Sequence, residues 1–257
     1  MHGYLLMDLR ERFDGTAERH PWERARFAFF CRVLAEADLL RASQSVLDVG
    51  SGDAWFARQL VDEIDPRATV CCWDAEYRAD SIRTLRESTP RIHFSSGRPD
   101  LRADLVLLLD VLEHVEDDAG FLRELTLHSL APGAHVLVSV PAYGALYASH
   151  DTFLGHHRRY APSSCASLLE RAGLRILRRG GLFHSLLLAR LATKARELGL
   201  SAIGKGSAAE SQAKWTFGPL VTAAVDAALS LDNSASTALS KYGIFVPGLS
   251  FWALCRA

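Results

Sequence analysis

Two groups of residues in this 257-residue chain have the types and spacing for chemistry. The first runs through Asp48-Val49-Gly50-Ser51-Gly52, Asp74, and Asp110-Val111-Leu112-Glu113-His114. Glycines let a backbone approach a ligand closely, a helix opening behind them offers free N–H groups, and Asp74 is the type of residue that accepts paired sugar hydroxyls. The second is Gly155-His156-His157-Arg158-Arg159-Tyr160, with His150 shortly before it. An imidazole with an ordinary pKa of about 6.5 is largely neutral near pH 7 and can take a proton. Guanidinium binds carboxylate or phosphate in a two-pronged fashion. The plainer alternatives are a glycine turn without a ligand and a solvated run of charge.

These residues meet only if the chain folds to bring them together. Strand and helix patterns alternate over the first 180 or so residues, as they do where a parallel sheet is covered by helices on both faces. Residues 22–42 repeat apolar positions near the 3.6 period and predict one helix. Ser45–Val49 predicts a strand that stops at Gly50-Ser51-Gly52, and Ala54–Glu63 resumes as a helix. Further strands are expected at Ala68–Trp73, Arg91–Ser95, Ala103–Leu109 and Ala134–Val140, the last after a turn at Ala131-Pro132-Gly133. Helices fill the intervals, notably Ala119–Leu130 and Ser163–Ala172, the latter capped by Gly173. In such a doubly wound sheet the carboxyl ends of the strands line one crevice, so Gly50, Asp74 and Asp110 converge there. The stretch 184–245 breaks the rhythm with an apolar, partly basic helix, the small-residue run SAIGKGSAAES and an Ala/Ser-rich helix around 219–231. PGLSFWALCRA then alternates as a final, antiparallel strand. The expected division is a helical cap (1–44), an α/β core (45–183), a helical insertion (184–245) and the last strand of the core (246–257).

Composition narrows the function. With 29 Lys+Arg against 30 Asp+Glu the net charge is -1, which argues against a protein that holds nucleic acid by neutralising phosphates. The 49% hydrophobic and 23% charged residues are those of a globular protein. Five cysteines, at 31, 71, 72, 165 and 255, form no C-x-x-C pair, so a reducing compartment is expected. The early acids and arginines do not make a secretory signal, and no run reaches the 18 or so apolar residues of a membrane span. The expected location is cytoplasmic.

A dinucleotide fingerprint requires a third glycine at position 55, where Trp55 is too bulky for close helix–strand packing, so NAD is disfavoured. Taken together, SVLDVGSGDAWFARQL, CCWDAEY and ADLVLLLDVLEHVEDDAGFLRELTLHSLAPGAHVLVSVP resemble the class I S-adenosylmethionine-dependent methyltransferases. HPWERARF and SHDTFLGHHRRYAPSSCASLLERAGL are similar to a bacterial group with H-x-W-x-R-A-R and G-H-x-R-R-Y elements. Ala54 departs from the further glycine often found in that loop. The resemblance implies a doubly wound, mostly parallel, seven-stranded Rossmann-like sheet with a helical insertion before the last strand, and S-adenosylmethionine as cofactor. It places Asp48, Ser51 and the backbones of Gly50 and Gly52 near the methionine part and Asp74 on the ribose, with Ala75 and Ser95 or Ser96 beside the adenine. Leu109, Asp110 and Val111 would pass under the sulfonium, His114 would shape the pocket, and Trp22 and Arg26 would close over the carboxylate end.

The expected reaction is methyl transfer to a small-molecule or lipid-like acceptor, with oxygen the favoured nucleophile and no nucleic acid involved. His156 is the preferred base, with His157 and His150 as the neighbouring candidates, and Arg158 or Arg159 would pair with an acidic part of the acceptor. D-x-x-E-H at 110–114 also resembles the E-x-x-E-H element of metal-dependent relatives, the small-RNA 2′-O-methyltransferases and ubiquinone-pathway O-methyltransferases. That resemblance implies Asp110, Glu113 and His114 as ligands, joined by a histidine from 150–157, whereas the favoured expectation has no metal. A non-catalytic binding or scaffold subunit is the remaining alternative. The insertion reads as a cap or homodimer surface, or as a lid over a hydrophobic acceptor with at most peripheral membrane contact through Arg190, Lys194 and Arg196.

Overall fold

A computed structural model describes residues 19–202 and 218–257. The expectations for residues 1–18 of the cap and for nearly all of SAIGKGSAAES therefore lie outside the described residues. The chain begins with α1 (Pro21–Glu36), opened by a proline at its first position, where the missing N–H is no loss. The single helix expected over 22–42 is two: Asp38 takes a left-handed φ of 58° and α2 (Leu39–Ala42) restarts in a new direction. Then follow β1 (Ser45–Val49), α3 (Trp55–Leu60), β2 (Thr69–Trp73), α4 (Ala79–Ser88), β3 (Ile92–Ser95) and β4 (Ala103–Leu109). After a 3₁₀ turn at Leu112–His114 come α5 (Asp118–His128), β5 (Leu130–Pro141), α6 (Ser149–Leu154), α7 (Pro162–Arg171) and β6 (Arg175–Leu182). The helices α8 (His184–Ala202) and α9 (Pro219–Ser240) precede β7 (Ser250–Arg256).

The seven strands form one sheet in the order β3-β2-β1-β4-β5-β7-β6. β1 pairs in parallel with β2 and β4, and β7 runs antiparallel between β5 and β6. The doubly wound architecture with an antiparallel last strand is as expected. The Ala131-Pro132-Gly133 turn is instead the start of β5: Gly133 sits at φ 75° inside the strand, and the β4–β5 register shifts between Ala103 and Leu105.

Two apolar layers enclose the sheet. α1, α2, α3 and α9 bury Phe30, Leu34, Leu60 and Leu229 on one face, while α5 and α7 bury Leu122 and Leu169 on the other. No helix occupies the β3–β4 interval, contrary to the expected filling, so Trp73 remains half-buried against Phe121 at 6.2 Å.

Besides Leu229, α9 buries polar side chains. Asn233 accepts the Phe183 N–H at 3.0 Å, and Ser236 accepts the Trp252 indole N–H at 3.1 Å, which satisfies buried donors of β7 and of the β6 exit. Its outer face carries Leu220 and Leu231, 86% and 76% exposed. Gly181 and Gly248 pack backbone to backbone: a Cβ on Gly181 would lie 2.3 Å from the Gly248 nitrogen. Among the described residues no helix is long and apolar enough to cross a membrane.

Candidate active site

The crevice opens at the carboxyl ends of β1, β4 and β5. Gly50, at φ 67°, donates its N–H to the Trp73 carbonyl at 2.7 Å, and a Cβ there would stand 2.8 Å from a Val111 methyl. Gly52 and Ala54 are also left-handed, at 54° and 59°, so the loop coils tightly before α3. Asp74 braces it. Fully buried, Asp74 accepts the N–H of Gly52 at 2.8 Å and of Glu76 at 2.9 Å, so its carboxylate faces the loop instead of standing open in the crevice. Ser51 shares a 2.9 Å hydrogen bond with the Tyr77 hydroxyl. Ala75 and Ser96 are exposed and Ser95 half-buried at the ends of β2 and β3.

Three carboxyl groups approach the loop from below. Asp48, buried on β1, keeps one carboxylate oxygen without a partner. Burial pushes its carboxyl up to about 7, opposed by nearby Arg26 and reinforced by Asp74. Asp110 leaves β4 at a left-handed φ of 58°, accepts the Ser139 hydroxyl at 2.9 Å and forms an ion pair with Arg26 of α1. The Arg26 guanidinium lies 5.1 Å from the Trp22 ring centroid, and Trp22 meets Phe183 edge-on at 6.3 Å. Leu109 and Val111 are buried beneath. Glu113, the third, is wholly buried and both its oxygens lack partners; burial, then Asp110, hold its carboxyl well above the usual range.

A cavity of about 350 Å³ continues from this crevice, walled by Trp22, Arg26, Glu113, His156, Leu186 and Arg190 among others. His114 and His156 meet edge to face at 4.7 Å, and burial together with His156 pushes His114 down to about 4. Asp151 organises this side. Completely buried in α6, it accepts His156 Nδ1 at 3.0 Å, Arg159 Nε at 2.7 Å, Arg190 of α8 at 3.0 Å and the Ala148 N–H at 2.9 Å. These bonds and charges overcome burial and hold its carboxyl well below the usual range. Gly155, at φ 76°, ends α6 and turns the chain so that the His156 N–H returns to the Asp151 carbonyl at 2.9 Å.

The sequence-predicted site residues therefore separate. Trp22, Arg26, Gly52, Asp110, His114, His150 and His156 line the cavity. His157 does not: it is exposed and its N–H is bound to the Glu113 carbonyl at 2.7 Å. Arg158 is turned away onto Asp118 and the Glu116 carbonyl, contrary to expectation, whereas Arg159 lines the cavity while its Nε is bound to Asp151. Asp151 and Arg190 were missed as site residues. The only local trace of Asp151 is an acid five residues before His156 across a helix-ending glycine.

The orphaned Glu113 oxygens and the carboxylate of Asp110, which line the cavity beside Gly52, fit a polar, cationic ligand held against backbone. The model of a methyltransferase domain family matches residues 22–179, more than half of the chain. The chain belongs to this family. A probable S-adenosylmethionine-dependent methyltransferase of Mycolicibacterium smegmatis is 29% identical over 185 residues, covering 69% of this chain and 68% of its relative. Two solved structures share the fold: the [4+2]-cyclase SpnF, with 17% identity, TM-score 0.55 and coverage of 96% and 84% of the two chains, and a coclaurine N-methyltransferase, with 11%, 0.55, and 96% and 75%. This methyltransferase is an enzyme that uses S-adenosylmethionine.

Proposed function

We propose that the enzyme transfers the methyl group to an oxygen of a small or lipid-like acceptor bound in the part of the cavity lined by His150, His156 and Leu186, with His156 as general base. The observation that carries this reading is the His156–Asp151 dyad. With Nδ1–H donated to a buried carboxylate, Nε2 is the ring atom left to take a proton, the arrangement a proton-abstracting imidazole requires. Asp48, Gly50, Ser51 and Gly52 take the methionine part of the cofactor, Ala75 and Ser95 or Ser96 border the adenine, Leu109, Asp110 and Val111 form the floor under the sulfonium, and Asp74, bound to the Gly52 and Glu76 N–H groups, shapes the loop on the ribose side. The bound cofactor supplies an electrophilic methyl group. The protein's own part is alignment of the acceptor for in-line displacement, exclusion of water by Trp22, Leu186 and Phe183, and removal of the acceptor proton.

The test begins with the acceptor, identified by mass spectrometry of co-purified ligand. With it, His156→Ala is expected to slow single-turnover methyl transfer by about 10²–10⁴-fold while S-adenosylhomocysteine still binds. A loss of only a few-fold rejects the base.

One observation favours a second reading, a divalent ion. Ligand atoms of Glu113, His114 and His156 lie within 4.8 Å of one another, the Glu113 oxygens are orphaned, and His156 is oriented from behind by a carboxylate, as metal-bound imidazoles are. Asp110 is outside this set, being held by Arg26 and Ser139. His156 cannot both ligate through Nε2 and accept a proton there. Turnover undiminished in excess chelator keeps the base; turnover abolished with cofactor affinity intact gives the ion.

A further inference from the structure

Arg26 stands where the cofactor's positive charge is to come. Asp110 and Glu113 line the cavity beside Arg26, and Asp48 is buried on β1 within reach of the same charge. Arg26 is ion-paired with Asp110, and its charge acts on Asp48 and Glu113, on the last of which Arg159 acts as well. Arg19, the neighbouring arginine of the rim, is instead turned to Glu23 at 3.0 Å and to Asp53. The Arg26 guanidinium also lies over the Trp22 ring, and α1, which carries both residues, forms the rim of the cavity.

We propose that Arg26 is a charge gate: the sulfonium of S-adenosylmethionine displaces it from Asp110, and the neutral thioether of the product does not. The inference rests on the reading that the sulfonium lies beside Asp110. Substrate and product forms of the cofactor share the adenosine, ammonium and carboxylate and differ in one methyl group and one positive charge. A site with Asp110 unmasked prefers the charged form, whereas a site with Arg26 in place is electrostatically satisfied without it. Loss of the charge on methyl transfer then lets Arg26 return to Asp110 and favours release of the product. The gate thus sets the preference for donor over product at the one charge by which they differ.

The experiment measures the dissociation constants of S-adenosylmethionine and S-adenosylhomocysteine by calorimetry on the full chain. Arg26→Met is expected to raise the product-to-donor ratio of dissociation constants about tenfold or more, because the sulfonium no longer competes with a guanidinium. Arg26→Lys should keep the wild-type ratio, and Asp110→Asn should lower it. As a second readout, the donor but not the product should change the Trp22 emission as the guanidinium leaves the ring, a change lost in Trp22→Phe. Equal weakening of both compounds in Arg26→Met makes Arg26 an anchor of the shared carboxylate and overturns the gate, as does an unmoved ratio with unmoved affinities. Wild-type protein that binds neither compound overturns the cofactor placement, and the gate with it. Should Arg26→Met fail to fold, Asp110→Asn and the emission change decide in the same way.

Discussion

Replacing Asp48 by asparagine should remove a pH dependence of stability that the fold builds into its first strand. The carboxyl is completely buried, one oxygen has no partner, and its folded pKa is about 7, against about 3.9 in an unfolded chain. A carboxyl whose folded value is raised binds its proton more tightly in the native state. Its contribution is therefore most favourable below about pH 4, declines as pH rises from 4 to 7, and is constant above. At about 1.4 kcal/mol per unit, the gap of about three units makes ionised Asp48 a penalty of about 4 kcal/mol at pH 8, and about 1.5 kcal/mol at pH 5. An amide of the same shape does not titrate. Whatever constant difference Asp48→Asn introduces, the variant should gain about 2.5 kcal/mol on wild type between pH 5 and pH 8, read from urea unfolding at each pH. Stability profiles that stay parallel over that range would refute the reasoning, and would mean that Arg26 or water satisfies the carboxylate fully.

Gly50→Ala combines a left-handed φ with a 2.8 Å clash against Val111 and should lose about 2–4 kcal/mol in denaturant unfolding; the pair with Val111→Ala should recover the packing part. Asp151→Asn leaves Arg159 and Arg190 without their buried counter-charge and is expected to lose about 3–5 kcal/mol, so a loss below about 1 kcal/mol in a thermal melt would show that the cluster is not held by that carboxylate. Asn233→Ala strands the buried Phe183 N–H and should lose about 1–3 kcal/mol, checked in the same way.

The fold, and the strand ends that meet at one crevice, were legible because they obey local rules. Ser45–Val49 is a short apolar run cut off by glycines, and Asp74 and Asp110 stand at strand ends that any doubly wound sheet turns toward one crevice. What escaped depends on partners far along the chain. Asp151 is one acid in an ordinary helix until Arg159 and Arg190 reach it, and the second of these lies on the insertion. The break at Asp38 and the left-handed Gly133 inside β5 are single-residue backbone choices that periodicity does not register. α9 reads as a plain Ala/Ser helix, and only the unpaired donors around Phe183 and Trp252 explain why Asn233 and Ser236 point inward.

The placement of β7 between β5 and β6 bears on how the enzyme can change its acceptor. β6 joins the sheet only through β7, a strand made after the whole α8–α9 excursion, so the sheet closes over that excursion as over a loop. The two ends of the loop are pinned together where Gly181 meets Gly248 and its N–H reaches the Val246 carbonyl at 2.9 Å. Loop-closure entropy grows only with the logarithm of length, about 0.6 kcal/mol for each doubling. Evolution can therefore lengthen or shorten the excursion at little expense to folding, provided that Leu229 and Asn233 still pack onto the core and Leu186 and Arg190 still reach the cavity wall.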